Sequence, residues 1–179
     1  MRGLSKFQIN IILLHVPILY HFLIFCQSPM NTIVGQPAPV FELPNQDGSI
    51  IRMEDYLGQM PVVLFFYPGD FTYGCTREAC AFRDIYTYFS GAGIKVFGIS
   101  HDSVTTHKKF RDAYDLPYDL LSDPAGKVAK LYKIGRFLFL RDRATVIIDK
   151  DGRVVKVYKS QIHFSKHAHE ALKILKGIN

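Results

Sequence analysis

"PVVLFFYPGDFTYGCTREACAFRD", residues 61–84, joins an unbroken apolar run to a charged segment carrying two cysteines. Pro61 to Pro68 shows no polar and apolar alternation, the pattern of a strand buried on both faces. Beyond it, Ala79, Phe82, Ile85, Tyr86 and Phe89 recur at helical spacing as far as the glycines of "SGAG". That spacing predicts a single helix from Cys75 to those glycines. A strand handing over directly to a helix puts Cys75 at the junction. There the first-turn N–H groups lack helical partners and the helix dipole is positive, and both favour thiolate over thiol.

The same alternation continues outward. "FELPNQDGSIIRMEDY" reads as two short strands around the turn Asn45–Gly48. "IKVFGIS" (94–100) is a second buried strand and "SVTTHKKFRDAYD" a second helix. "YDLLSD" follows Pro117, and "GKVAKLYKI" is a short helix. "ATVIIDKDGRVVKVYKS" is a hairpin around Lys150–Gly152. "SKHAHEALKILKG" closes as an amphipathic helix with Ala168, Ala171, Leu172 and Leu175 on one side. The order describes an α/β fold, a single thioredoxin-like domain with a central mixed β-sheet flanked by helices and an N-terminal β-hairpin.

Composition agrees with one globular domain. Hydrophobic residues make up 48% and charged residues 21% of the 179, and no repeat or linker divides the chain. The net charge of +6 is scattered, with no basic run interleaved with aromatics, so it reads as a solvated surface and not as a nucleic-acid site. Residues 1–29 differ. Arg2 and Lys6 precede an apolar stretch from Phe7 to Phe25, with no acid before Glu42. This is the pattern of a secretory signal or membrane anchor, although His15, Pro17 and His21 interrupt it and no small-residue cleavage site follows. Met30 opens "MNTIVGQPAPVFELPNQDG", which reads as a natural domain start. The expected organisation is an apolar leader over 1–29 (signal, anchor or upstream extension) and a domain over 30–179. A cytoplasmic location follows from a start at Met30. The alternative is export or membrane anchoring through the apolar leader, the membrane only if residues 7–25 are retained. Cys26 falls in the leader and is given no chemistry.

Three readings of Cys75 and Cys80 compete: a redox pair, part of a metal site, or two core thiols. A metal site wants a second ligand pair at short spacing, and none is present. His163 and His167 have i, i+4 spacing but no acidic third ligand in a recognisable pattern, so they read as exposed histidines at a helix start. A thioredoxin-type dithiol wants C-x-x-C, and four residues intervene here. On a helix, positions five apart differ by about 140° and about 7.5 Å of rise, placing their Cα atoms roughly 8.7 Å apart. That exceeds the ~7 Å reach of a disulfide, so any bond between these two requires local unwinding.

"YPGDFTYGCTREAC" closely resembles the P-x-x-x-T-x-x-C-T-x-E active-site stretch of peroxiredoxins, with Pro68, Thr72, Cys75, Thr76 and Glu78 each in place. A second cysteine five residues later is the pattern of the peroxiredoxin Q, or bacterioferritin comigratory protein, group. The likeness covers most of residues 33–176, including "GISHDSVTTHKKF", "LPYDLLSDPAGKVAKLY" and "RATVIIDKDGRVVKVY". It implies a thiol-dependent peroxidase that reduces hydrogen peroxide and organic hydroperoxides. In that reading Cys75 is the peroxidatic cysteine, and Cys80 resolves its sulfenic acid as an intramolecular disulfide. Thr72 and Arg143 hold the peroxide, Pro68 shields the thiolate, and Glu78 orients the arginine. No metal, haem or flavin is implied. The expected reductant is thioredoxin or a similar dithiol, and the expected state is a monomer.

Overall fold

A computed structural model describes residues 33–137 and 140–177. The apolar leader over 1–29, the domain start at Met30 and Cys26 lie outside the described residues.

The chain opens with a hairpin, β1 (Glu42–Pro44) antiparallel to β2 (Ile50–Arg52). Asn45 Oδ1 closes its turn by accepting from the N–H groups of Asp47 and Ser49, each at 3.0 Å. Gly48 supplies the positive φ of +82° that this bend requires. Next comes β3 (Val62–Phe66), in which every residue is buried. Val62, Leu64 and Phe66 enter one hydrophobic cluster, while Val63, Phe65 and Tyr67 enter another on the opposite face. This two-sided burial is why the segment shows no polar alternation.

β3 lies at the centre of a five-stranded mixed sheet. It pairs parallel with β4 (Lys95–Ser100), which pairs parallel with β5 (Asp119–Ser122). On its other side it pairs antiparallel with β8 (Ala144–Ile148), itself antiparallel to β9 (Val154–Lys159). β9 forms one margin of the described sheet, with Lys156 and Lys159 exposed and a register shift opposite Ile147 and Ile148. Gly98 in β4 admits the neighbouring chains closely: a Cβ there would come within 2.7 Å of Leu120 Cδ2 and Phe65 Cζ.

One face of the sheet is covered by α1 (Tyr73–Asp84), α2 (Tyr86–Gly91), α3 (Val104–Ala113) and α5 (Lys166–Lys176). They bring Ala79, Phe82, Phe89, Phe110, Ala168, Ala171 and Leu175 against Val63 and Phe65. The other face receives Ile33, Ala38, Phe41 and Leu43 from the N-terminal segment and Val128 and Ala129 from the short α4 (Lys127–Leu131). Burying a side chain the size of Phe65 contributes on the order of 1.5–3 kcal/mol, so the two clusters hold the layers together. The expected thioredoxin-like arrangement is present, with two differences in detail. The single helix expected after Cys75 divides at Ile85 (φ −113°, ψ 13°) into α1 and α2. Phe82 and Phe89 still pack with centroids 6.0 Å apart, so apolar spacing passes through the break unchanged. The segment "RFLFLR" also contains a small antiparallel ladder, β6 (Arg136–Phe137) with β7 (Leu140–Arg141).

Candidate active site

The loop from β3 to α1 is held from several sides. Tyr67 continues the ladder by donating its N–H to the Ile99 carbonyl at 3.1 Å, and Pro68 ends it. Phe71 adopts φ +59°, a left-handed conformation that is costly for a residue with a side chain. Asp70 supports this bend. Its N–H donates to Asp102 Oδ2 at 2.8 Å, its Oδ1 accepts from Tyr67 Oη at 2.7 Å, and its Oδ2 lies 2.8 Å from His107 Nδ1. The Phe71 ring packs edge-on against Phe110 at 5.1 Å. Thr72 then takes the N-cap position of α1 in extended conformation, its hydroxyl donating to the Gly69 carbonyl at 3.1 Å.

Cys75 is the third residue of α1 and is 1% exposed. Glu78, one turn on, is fully buried on the same helix. Arg143, just ahead of β8, joins them. Its Nη2 donates to Cys75 Sγ at 3.3 Å and its Nη1 donates to Glu78 Oε2. The guanidinium also stacks on the Phe164 ring, 4.9 Å from the centroid. Burial pushes the Glu78 carboxyl up to about 8, against the pull of the Arg143 charge and hydrogen bond.

Among the described residues, the buried side-chain polar atoms without a hydrogen-bond partner are Thr76 Oγ1, Glu78 Oε1 and Arg143 Nε. Thr76 and Glu78 share α1 with Cys75, and Arg143 is hydrogen-bonded to its sulfur. A cleft lined by Pro124, Ala125, Gly126, Ala129, Lys130, Ile134 and Gly135 includes none of these residues.

The structure thus brings together Cys75, Glu78 and Arg143. Thr72 stands one helical turn before Cys75 with its hydroxyl engaged by Gly69, and Pro68 is half-buried at the strand end. Cys80 is half-buried further along α1, its thiol pushed up by burial with Arg83 pulling the other way. Both thiols are free. The expectation of exposed histidines is half corrected: His163 is exposed, but His167 is fully buried. His167 has an acidic neighbour after all. Its Nδ1 lies 3.4 Å from Glu78 Oε1, contributed by a different helix. A signal was present in the sequence, since position 167 precedes the buried Ala171 by one turn on α5. Phe164 left no such signal.

Residues 34–157 match the AhpC/TSA family. The chloroplastic peroxiredoxin Q of Oryza sativa subsp. japonica is 45% identical over 146 residues, spanning 80% of this chain and 67% of that protein. The chain belongs to the peroxiredoxin Q family. Solved structures agree with that family. Peroxidoxin BcpB from Mycobacterium tuberculosis superposes with a TM-score of 0.77 at 39% identity, covering 83% of this chain and 99% of the other. The Xanthomonas campestris bacterioferritin comigratory protein gives 0.74 at 26%, with the same coverages. As a peroxiredoxin the chain is a thiol-dependent peroxidase, with a peroxide as substrate and a thioredoxin-type dithiol as reductant.

Proposed function

We propose that Cys75 is the peroxidatic thiolate and Cys80 its resolving partner, with Arg143, Glu78, Thr72 and Pro68 forming the pocket. The observation that carries this reading is Arg143 bridging Glu78 and the Cys75 sulfur at the start of α1. A permanently charged guanidinium with several fixed donors holds negative charge on sulfur and, during the reaction, on the departing oxygen.

The Cys75 thiolate attacks the terminal oxygen of a hydroperoxide. The S–O bond forms as the O–O bond breaks, the sulfur is oxidised to sulfenic acid, and the alkoxide takes a proton from water and leaves as an alcohol. Hydrogen peroxide gives water in the same way. Thr72 contributes hydroxyl lone pairs that its bond to Gly69 leaves available, and Pro68 limits water at the sulfur. Glu78 fixes Arg143 from behind. The Cys80 thiol then displaces water from the sulfenic acid, forming the Cys75–Cys80 disulfide. The two positions are too far apart on an intact helix, so α1 opens locally for that step. A thioredoxin-type dithiol returns both cysteines to thiols. Organic hydroperoxides belong among the substrates. Support comes from the Xanthomonas relative, which has alkyl peroxide reduction activity.

The chain works as a monomer, since both cysteines belong to one helix. The domain resides in the cytoplasm when synthesis starts at Met30, and at a membrane only if residues 7–25 are kept. Mass spectrometry of the natural N-terminus distinguishes these products, and sedimentation tests the monomer. The decisive assay couples NADPH oxidation to thioredoxin, its reductase and a peroxide. Cys75→Ser abolishes turnover, while Cys80→Ser consumes about one peroxide per chain and then stops cycling. Turnover retained in Cys75→Ser refutes the assignment.

A further inference from the structure

His167, near the start of α5, is fully buried but touches none of the atoms that react. Its two ring nitrogens face different chemistry. Nε2 lies 3.0 Å from the Ser160 carbonyl oxygen, which only accepts, so Nε2 carries a hydrogen. Nδ1 lies 2.8 Å from Thr145 Oγ1 and 3.4 Å from Glu78 Oε1. The other carboxylate oxygen of Glu78 accepts from Arg143, whereas Oε1 is buried without a hydrogen-bond partner.

Consider the protons available to Glu78 Oε1 and His167 Nδ1 together. With none, Nδ1 can still accept from the Thr145 hydroxyl, but Glu78 Oε1 stays charged and without a donor away from water, which is costly. With two, a second cation stands beside Arg143. With one, on either atom, both are satisfied, and the charges of the Cys75 thiolate, Arg143 and the pair sum to zero. The groups facing His167 are Glu78 from α1, with Cys75 beyond it, Arg143 and Thr145 at the start of β8, and Tyr158 from β9, whose ring centroid is 4.7 Å away. His163 is exposed, with Nδ1 3.1 Å from Ser160 Oγ.

We propose that His167 is a positioning residue that shares one proton with Glu78, so that Glu78 presents a fixed Oε2 to Arg143 and Arg143 keeps Nη2 turned to the Cys75 sulfur. Burial acts in the required directions, pushing Glu78 up to about 8 and His167 down to about 4. The proton therefore resides on the carboxyl side at neutral pH, and the two groups titrate as a unit.

The inference rests on Cys75 being the reacting thiolate, which a single peroxide-consuming event tests separately. The experiment uses the full chain, with nuclear magnetic resonance of labelled His167 and Glu78 across pH. In parallel, the pH profile of Cys75 alkylation by iodoacetamide is read on the Cys75 peptide by mass spectrometry. The His167 Nδ1 and Glu78 carboxyl signals shift through one common alkaline midpoint, and the Cys75 alkylation profile changes slope there as an unbalanced anion appears beside the sulfur. Glu78→Gln removes that step from the His167 nitrogen. His167→Gln keeps a donor for Ser160 but takes up no proton, and displaces that change of slope by about one pH unit. An alkaline Glu78 midpoint that leaves the His167 Nδ1 signal unmoved overturns the proposal. So does a His167→Gln profile that superimposes on the native one. If His167→Gln does not fold, the native titration decides alone. A Cys75 that consumes no peroxide refutes the proposed function instead and leaves the titration of the pair as the test here.

Discussion

Arg143 divides its terminal nitrogens between two groups of opposite use, Nη1 to the Glu78 carboxyl and Nη2 to the Cys75 sulfur. A lysine ammonium is a single point charge and cannot keep both bonds in that fixed geometry. Arg143→Lys therefore lowers the second-order rate of the first oxidation by roughly 10²-fold, the effect of losing one transition-state donor. Stopped-flow tyrosine fluorescence with cumene hydroperoxide measures it, and a rate within a factor of about two of the native would refute it. Glu78 carries a pH signature of its own. Its folded value is raised from 4.5 to about 8, so its stability contribution is full below 4.5 and lost as pH rises through 8. His167 is depressed from 6.5 to about 4, so its contribution is present above 6.5 and lost as pH falls. The two slopes oppose each other between about 4.5 and 6.5, and Glu78 acts alone above that window. Urea unfolding should show stability falling by on the order of 1–2 kcal/mol from pH 6.5 to 8, with Glu78→Gln flattening the fall. The motif around Cys75 singled out Cys75 and Glu78, which the structure brings together with Arg143. For His167 the spacing to Ala171 signalled burial but not its neighbour, because Glu78 is distant in sequence and only folding brings its carboxyl near.

At the scale of elements, α1 is set against the loop preceding α5 through a close contact. A Cβ on Gly74 would meet the Phe164 ring at 2.6 Å, and Phe164 in turn lies over Arg143. Gly74→Ala therefore pushes the ring aside and destabilises by about 1–3 kcal/mol, as overpacking does. Adding Phe164→Ala recovers most of that loss, and a double-mutant cycle in urea exposes the coupling. Additive effects would refute the contact. The strand-to-helix order was readable because β3 is uniformly apolar and α1 has a 3.6-residue period. The break at Ile85 was not, since Phe82 and Phe89 keep their relative positions across it. The β6–β7 ladder escaped notice because two-residue strands carry no periodicity.

Across the whole molecule, the reactive helix hangs from the strand at the centre of the sheet, and that strand is clasped by a parallel neighbour and an antiparallel one. Opening one turn of α1 leaves both ladders intact, so redox chemistry and fold stability are largely separable. Disturbing the sheet is another matter. Gly98→Ala would drive a methyl group into Leu120 and Phe65, lowering stability by about 1–3 kcal/mol and leaving Cys75 in place. Thermal unfolding together with the rate of peroxide consumption separates the two effects, and an unchanged melting temperature would refute it. The overall architecture was legible because both core faces are written into alternate residues of Val62–Tyr67. One further trait of the sheet bears on life in a crowded cell. The proposed disulfide step would open α1 and bare its backbone at each round. The margin offered by β9, studded with Lys156 and Lys159 and kinked at its register shift, is a poor template for a stranger's strand. Repeated oxidation should therefore exhaust this catalyst through chemical damage sooner than through clumping.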